Sequence, residues 1–133
     1  MKTTTLNKIR SHRPCQEGYK KLLNFLGKTE ADDEALPFAV ILESNGIADA
    51  LWCCRTAHEY EKDWRLYAVF CARRVQHLNS DPRVKETTDT AEKFANGEAT
   101  IKELKLARDA TNAAAYTAEL EAQTIEFLRI VSQ

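Results

Sequence analysis

The sequence of 133 residues is poor in glycine and proline, with four and three of them, and it has no run of eighteen apolar residues. So few turn-forming residues argue against a turn-rich β-sandwich or barrel and favour helices. The missing apolar run excludes a transmembrane helix. The first ten residues also lack the apolar core of a secretory signal peptide, which predicts a cytoplasmic protein whose four cysteines are reduced.

An excess of one charge is also lacking, since the formal net charge is −1, and this argues against a general nucleic-acid binder. The charges are nevertheless segregated. Residues 1–28 hold seven Lys and Arg against one Glu, a net +6, whereas residues 29–61 hold eight Asp and Glu against one Arg, a net −7. The two segments either neutralise each other or present separate patches to a charged partner. The candidate partner-binding residues are Asp32, Asp33 and Glu34 in the acidic segment, or Arg10 and Arg13 in the basic one.

The spacing of apolar residues predicts an all-α fold, a single domain over residues 1–133 with six or seven helices arranged as a bundle. Apolar side chains at helical spacing and the helix-ending residues Gly27, Gly46 and Gly97 mark the boundaries. After a short helix around Leu6 and Ile9, the predicted helices cover residues 16–26, 37–45, 47–57, 59–78, 82–97 and 100–133.

The last third of the chain reads as one long amphipathic helix that serves as the spine of the fold. Thr100 and Glu103 form a capping box at its start, and an apolar stripe with an alanine-rich middle and large residues at the end follows. Most of the stripe is expected to face the core. If the last two turns protrude instead, Phe127, Leu128 and Val131 form a dimer surface.

Histidine and cysteine side chains offer one constellation for metal binding or catalysis. Cys54 and His58 are four residues apart on the predicted fourth helix, and His12 and Cys15 form a second pair, so four zinc ligands are conceivable. Their spacing matches no standard zinc module, and cysteines more often fill cores. No enzyme motif such as G-x-S-x-G, a Walker loop or H-E-x-x-H is present. The sequence therefore predicts no metal, no cofactor and no catalytic residue, with a Cys54–His58 enzyme as the rival reading.

Several motifs carry family resemblances. The second half contains Phe70-Cys-Ala-Arg-Arg, Asp81-Pro-Arg, Ala91-Glu-Lys-Phe-Ala-Asn-Gly-Glu-Ala-Thr and Glu103-Leu-Lys-Leu-Ala-Arg-Asp-Ala-Thr-Asn-Ala-Ala-Ala. These resemble a family of bacterial immunity proteins, which are small and all-helical with an alanine-rich C-terminal half. The first half contains Ile9-Arg-Ser-His-Arg-Pro-Cys, Leu26-Gly-Lys-Thr, Asp32-Asp-Glu-Ala-Leu-Pro and Ile41-Leu-Glu-Ser-Asn-Gly. These resemble small accessory proteins of phages and prophages.

The resemblances imply a non-enzymatic inhibitory protein-binding module from a phage or other mobile element. In the reading we favour, it blocks a host defence nuclease complex as anti-CRISPR proteins do, by masking a surface stoichiometrically. The alternatives are an immunity protein that neutralises a bacterial toxin and a homodimeric structural accessory protein of a phage. The expected partner is a protein rather than nucleic acid or a membrane.

Overall fold

Helices make up most of the computed structural model, which describes residues 1–78, 82–109 and 120–133, apart from the side chains of 108, 109 and 120–122. Eight α-helices lie in this part of the chain: α1 (Leu6–Ser11), α2 (Gln16–Leu26), α3 (Phe38–Asn45), α4 (Ile47–Cys53), α5 (Glu61–Val75), α6 (Pro82–Ala95), α7 (Ile101–Asp109) and α8 (Leu120–Val131). The predicted all-helical character is confirmed. None of the described helices is long and apolar enough to cross a membrane.

One small antiparallel ladder was not predicted. Strand β1 (Thr3–Thr4) pairs with β2 (Leu36–Pro37), with Thr3 opposite Pro37 and Thr4 opposite Leu36. The Thr-Thr-Thr run at the N-terminus favours extended backbone because β-branched side chains fit strands better than helices. Strands of two residues are too short to show a periodic pattern, so this pairing could not be predicted from the spacing of residues.

Helix ends follow the capping signals in the sequence. Helix α2 stops at Gly27, whose φ of 65° places it in the left-handed region, and the next amide, of Lys28, donates to the carbonyl of Leu23. Helix α7 begins with the predicted capping box. The Glu103 amide donates to Thr100 Oγ1 at 3.2 Å, and the Thr100 amide donates to Glu103 Oε1 at 3.4 Å.

The predicted helix over residues 47–57 is too long. The α-helix ends at Cys53, Cys54–Thr56 form a 3₁₀ turn, and Ala57 leaves helical geometry with φ −138° and ψ 70°. A second 3₁₀ turn, His58–Tyr60, precedes α5. The hydroxyl of Thr56 donates to the Cys53 carbonyl at 2.7 Å, a side-chain bond that competes with continued helix. Cys54 and His58 therefore do not lie one turn apart on a single α-helix.

The continuity of the predicted C-terminal helix, including its alanine-rich middle, lies outside the described residues. Helices α7 and α8 are its described parts, so the total helix number and the bundle arrangement stay predictions. On α8 the alternative of an outward dimer surface fails for two of its residues, because Phe127 and Val131 are fully buried. Leu128 is 37% exposed and Ile125 is 64% exposed. Phe127 and Val131 are four residues apart and share the buried face of the helix, whereas Ile125 lies on the other side.

The described contacts fall into two compact units, residues 1–60 with 128–133, and residues 61–127. In the first unit, Phe38 is fully buried, Leu6, Ile9 and Ile41 are 1% exposed, and the Lys2 ammonium donates to the Ile130 carbonyl at 2.9 Å. In the second unit, the ring of Phe127 stacks with Trp64 and meets Tyr67 edge-on. Aromatic packing of this kind anchors a core.

Candidate functional site

A cavity of about 140 Å³, partly open to solvent, lies in the first unit among α1, α2, α3 and α4. Its wall is largely apolar, with Ile9 from α1, Tyr19 and Leu22 from α2, Ile41 from α3, and Trp52 and Cys53 from α4. The short connection from α1 to α2 contains Arg13, whose φ of 55° lies in the left-handed region, and Pro14, which lines the cavity. Concave apolar spaces with a few polar groups are the usual form of binding pockets.

Asn45 organises the polar side of the cavity. Its Nδ2 donates to the Gly18 carbonyl and to Asp49 Oδ2, both at 2.8 Å, and its Oδ1 accepts from the Ser44 hydroxyl at 2.6 Å. Both hydrogens of the Asn45 amide are therefore committed. The second oxygen of the Asp49 carboxylate accepts no hydrogen bond within the described part of the chain, so it remains an open acceptor at the cavity wall.

Gly18 lets α2 approach this network closely. A Cβ at this position would lie 2.8 Å from Asp49 Oδ2 and 3.1 Å from Cys15 Sγ, which is too close for the carboxylate to stay in place. Cys15 is the N-cap of α2, and its Sγ accepts from the Gly18 amide at 3.4 Å. Cys15 also lines the cavity and is exposed, so the site contains one accessible thiol.

Tyr19 contributes a ring to the wall and a buried hydroxyl. That hydroxyl has no hydrogen-bond partner among the described residues. Burial raises the pKa of the Tyr19 phenol, the positive charge of Arg10 lowers it, and Asp32 raises it further. A buried polar group without a partner is uncommon in folded proteins and calls for an explanation at a site of this kind.

The four residues considered for zinc take separate roles. Across the described residues, no group of three or more His, Cys, Asp or Glu side chains lies together in a way that could hold a metal ion. His12 is exposed, with Nδ1 3.0 Å from the Lys8 carbonyl, and the Cys54 thiol donates to the Ala50 carbonyl at 3.6 Å. Burial raises the pKa of Cys54 to about 12, so its thiolate is scarce at neutral pH. His58 is exposed on the next 3₁₀ turn.

The acidic residues proposed for partner binding are partly neutralised within their own loop. Lys28 Nζ contacts Asp32 Oδ2 at 2.7 Å and Glu34 Oε2 at 2.6 Å. The hydrogen bond from Lys28 holds the pKa of the Asp32 carboxyl below its usual value, and the two carboxylates raise the pKa of Lys28. Asp33 is exposed and takes no part in these contacts. Local pairing reduces the field that this loop offers to a partner.

The basic segment keeps more of its charge available. Arg10, Arg13, Lys20 and Lys21 are exposed, and none of them has an ion-pair partner among the described residues. The last two lie on the solvent side of α2, where Phe25, four residues beyond Lys21, is 51% exposed. We call these five residues the cationic face. Of the two alternatives for the charged segments, mutual neutralisation therefore applies to Lys28 but to none of these four cations.

Sequence reasoning did not identify Asn45, Asp49 and Tyr19 as site residues. The Asn45-Gly46 pair indicated only the end of a helix, and Asp49 and Tyr19 are ordinary residue types at helical spacing. Only the packing of α2 against α3 brings Gly18 to Asn45, 27 residues further along the chain.

Comparisons with known proteins find no matching family model, no similar curated protein and no similar solved structure. The resemblances to immunity proteins and to phage accessory proteins therefore remain predictions from the motifs. The structure of the site itself has to carry the functional proposals.

Proposed function

We propose that the protein is a non-enzymatic binding protein that uses the cationic face to dock on an acidic patch of a protein partner. The observation that carries this proposal is the set of four exposed cations that have no ion-pair partner among the described residues, one of which, Lys21, lies one helical turn from the half-exposed ring of Phe25. Charged groups around an aromatic anchor give a steered association and a local hot spot. In the setting suggested by the motifs, the partner belongs to a bacterial defence nuclease complex in the cytoplasm, and binding inhibits it.

The energetic division between ring and charges supports this reading. Burying the exposed half of Phe25, on the order of 100 Å², contributes about 2.5 kcal/mol. The four cations add little net affinity at physiological salt but raise the association rate and select an acidic surface. The acidic loop is partly neutralised by Lys28, so it would raise the association rate less and select a charged partner less strongly. We therefore favour the version of the proposal based on Arg10 and Arg13. The raised pKa of Cys54 weighs against the rival enzyme that would use it as nucleophile.

The test combines capture with a matched pair of variants. Tagged protein is incubated with bacterial lysate, and bound proteins are identified by mass spectrometry at low and high salt. The test variant is Arg10→Glu, Lys21→Glu and Phe25→Ala. The matched control is Lys102→Glu, Lys105→Glu and Leu106→Ala on α7, where the two lysines are exposed and the leucine is 65% exposed.

Wild type and control should recover the same partner in stoichiometric yield, with binding that weakens as salt increases. The test variant should lose it by at least tenfold while retaining the helical circular dichroism of wild type. Undiminished binding by the test variant would overturn the cationic-face proposal. If binding is lost instead when the charges of Asp32, Asp33 and Glu34 are reversed, the interface lies on the acidic loop. A toxin as the captured protein would favour the immunity alternative.

A further inference from the structure

We propose that the cavity among α1, α2, α3 and α4 is a binding site for a phenol group, with the free oxygen of Asp49 accepting the phenolic hydrogen. The ligand is either a small free phenol or the tyrosine side chain of a protein. The free-phenol version does not depend on the proposed function, whereas the tyrosine version places an anchor of the partner beside the cationic face.

The size of the cavity fits one aromatic ring. Its volume of about 140 Å³ is close to the cavity of about 150 Å³ lined by aliphatic and aromatic side chains that binds benzene in an engineered protein. Leu22 and Ile41 give the space aliphatic walls, and Tyr19 and Trp52 give it aromatic ones. Because the cavity is partly open to solvent, a ligand can reach it from outside.

The polar groups select a hydrogen-bond donor. Asn45 has used both of its amide hydrogens on Gly18 and Asp49, so it has none to offer a ligand. Asp49 retains an oxygen without a donor, and a carboxylate is a stronger acceptor than a neutral group. An aromatic ring without a donor would displace water from the free Asp49 oxygen without replacing the hydrogen bond.

The surrounding charges select a neutral donor over a cation. Arg10 lies close enough to Tyr19 for its charge to act on the pKa of the phenol. Arg55 is stacked over the Trp52 ring at 4.3 Å, so a cation already occupies one face of that wall. The Asp49 carboxylate attracts an ammonium group, and Asp32 also acts on Tyr19, whereas these two cations repel it, so a neutral donor gains the hydrogen bond without that repulsion. A phenol donates a hydrogen bond without bringing a positive charge.

The first experiment uses the wild-type protein and three probes. Uniformly ¹⁵N-labelled protein is titrated with p-cresol, toluene and benzylamine, and amide resonances of the lining residues are followed by NMR. We expect p-cresol to bind about tenfold more tightly than toluene, as a hydrogen bond to a charged acceptor provides. Benzylamine should bind more weakly than p-cresol. Equal binding of p-cresol and toluene, tighter binding of benzylamine, or no shifts with any probe would each overturn the proposal.

A variant pair tests the role of Asp49. Asp49→Asn keeps the size of the side chain and an oxygen for the Asn45 amide, and should weaken p-cresol binding by about tenfold without changing toluene binding. Glu43→Gln removes an exposed carboxylate from α3 outside the cavity, and should leave both affinities within about twofold of wild type. An Asp49→Asn variant that is folded and binds p-cresol as wild type does would refute the assignment of the acceptor.

Two capped tripeptides distinguish the sources of the phenol. Peptides with tyrosine or phenylalanine between glycines are titrated under the same conditions. Binding of the tyrosine peptide at least as tight as that of p-cresol, with no binding of the phenylalanine peptide, identifies the side chain of a partner. Binding of p-cresol alone identifies a free small phenol. Either source can then be checked by protection of the Cys15 thiol, which lines the cavity, from alkylation.

Discussion

Replacing Asn45 with alanine is expected to lower the free energy of unfolding by about 2 kcal/mol. The neutral bond to the Gly18 carbonyl contributes about 1 kcal/mol, and the bond to the Asp49 carboxylate contributes about 1.5–3 kcal/mol. Asn45 and Asp49 are only half-buried, so water replaces part of the loss after the substitution. Asn45 is the last residue of α3, where the higher helix propensity of alanine matters little.

The measurement is urea unfolding followed by circular dichroism, with native-state hydrogen exchange of α2 and α3 amides to locate the loss. Asn24→Ala is the matched control, because Asn24 is exposed on α2 and makes no side-chain hydrogen bond within the described part of the chain. The control should stay within about 0.5 kcal/mol of wild type.

A double-mutant cycle of Asn45→Ala with Asp49→Ala isolates the bond between these two side chains. Its coupling energy should be about 1–2 kcal/mol in favour of the pair. If Asn45→Ala loses no more stability than Asn24→Ala, the reasoning that Asn45 joins α2 to α3 and α4 is refuted. A coupling energy near zero would leave the bonds of Asn45 to Gly18 and Ser44 as the source of any loss.

Two further predictions concern thiol reactivity and pH. At pH 8, iodoacetamide should modify exposed Cys15 well before Cys53, because burial raises the pKa of Cys53 to about 12. Peptide mass mapping measures this order, and faster modification of Cys53 would contradict the burial of its thiol on α4. Lys28 lowers the folded pKa of Asp32 below its ordinary value of 3.8, so the stabilisation is present above that value and is lost as pH falls. Urea midpoints between about pH 5 and pH 2 should therefore fall less steeply in Asp32→Asn than in wild type, whereas Asp33→Asn, outside the Lys28 pair, should keep the wild-type slope.

Local signals made much of the helical framework predictable. Helix α2 has a stop at Gly27, and α7 has the Thr100 and Glu103 capping box, so their boundaries follow from residues adjacent in the chain. The end of α4 was not predictable in this way. Its last turn tightens because Thr56 bonds to the carbonyl of Cys53 and also lies 2.6 Å from the Thr4 hydroxyl, a partner 52 residues away.

The candidate site was predictable only in its charges. Residue counts predicted a basic segment with Arg10 and Arg13 and an acidic segment with Asp32. They did not predict the ion pair between Lys28 and Asp32. The alternative in which Phe127 faces outward fails because its ring packs against Trp64 and Tyr67, which are distant in the chain and are not specified by the helical period.

By itself, the sequence determined the helical class, the helix caps and the segregation of charge, because each depends on neighbouring residues or on simple counts. The tertiary structure alone decided which charges remain unpaired and where a cavity forms. Gly18, Asn45 and Asp49 come together there through hydrogen bonds between α2, α3 and α4, and no local pattern encodes such bonds. Side chains of ordinary type can form a site only when packing places them together at the wall of a cavity.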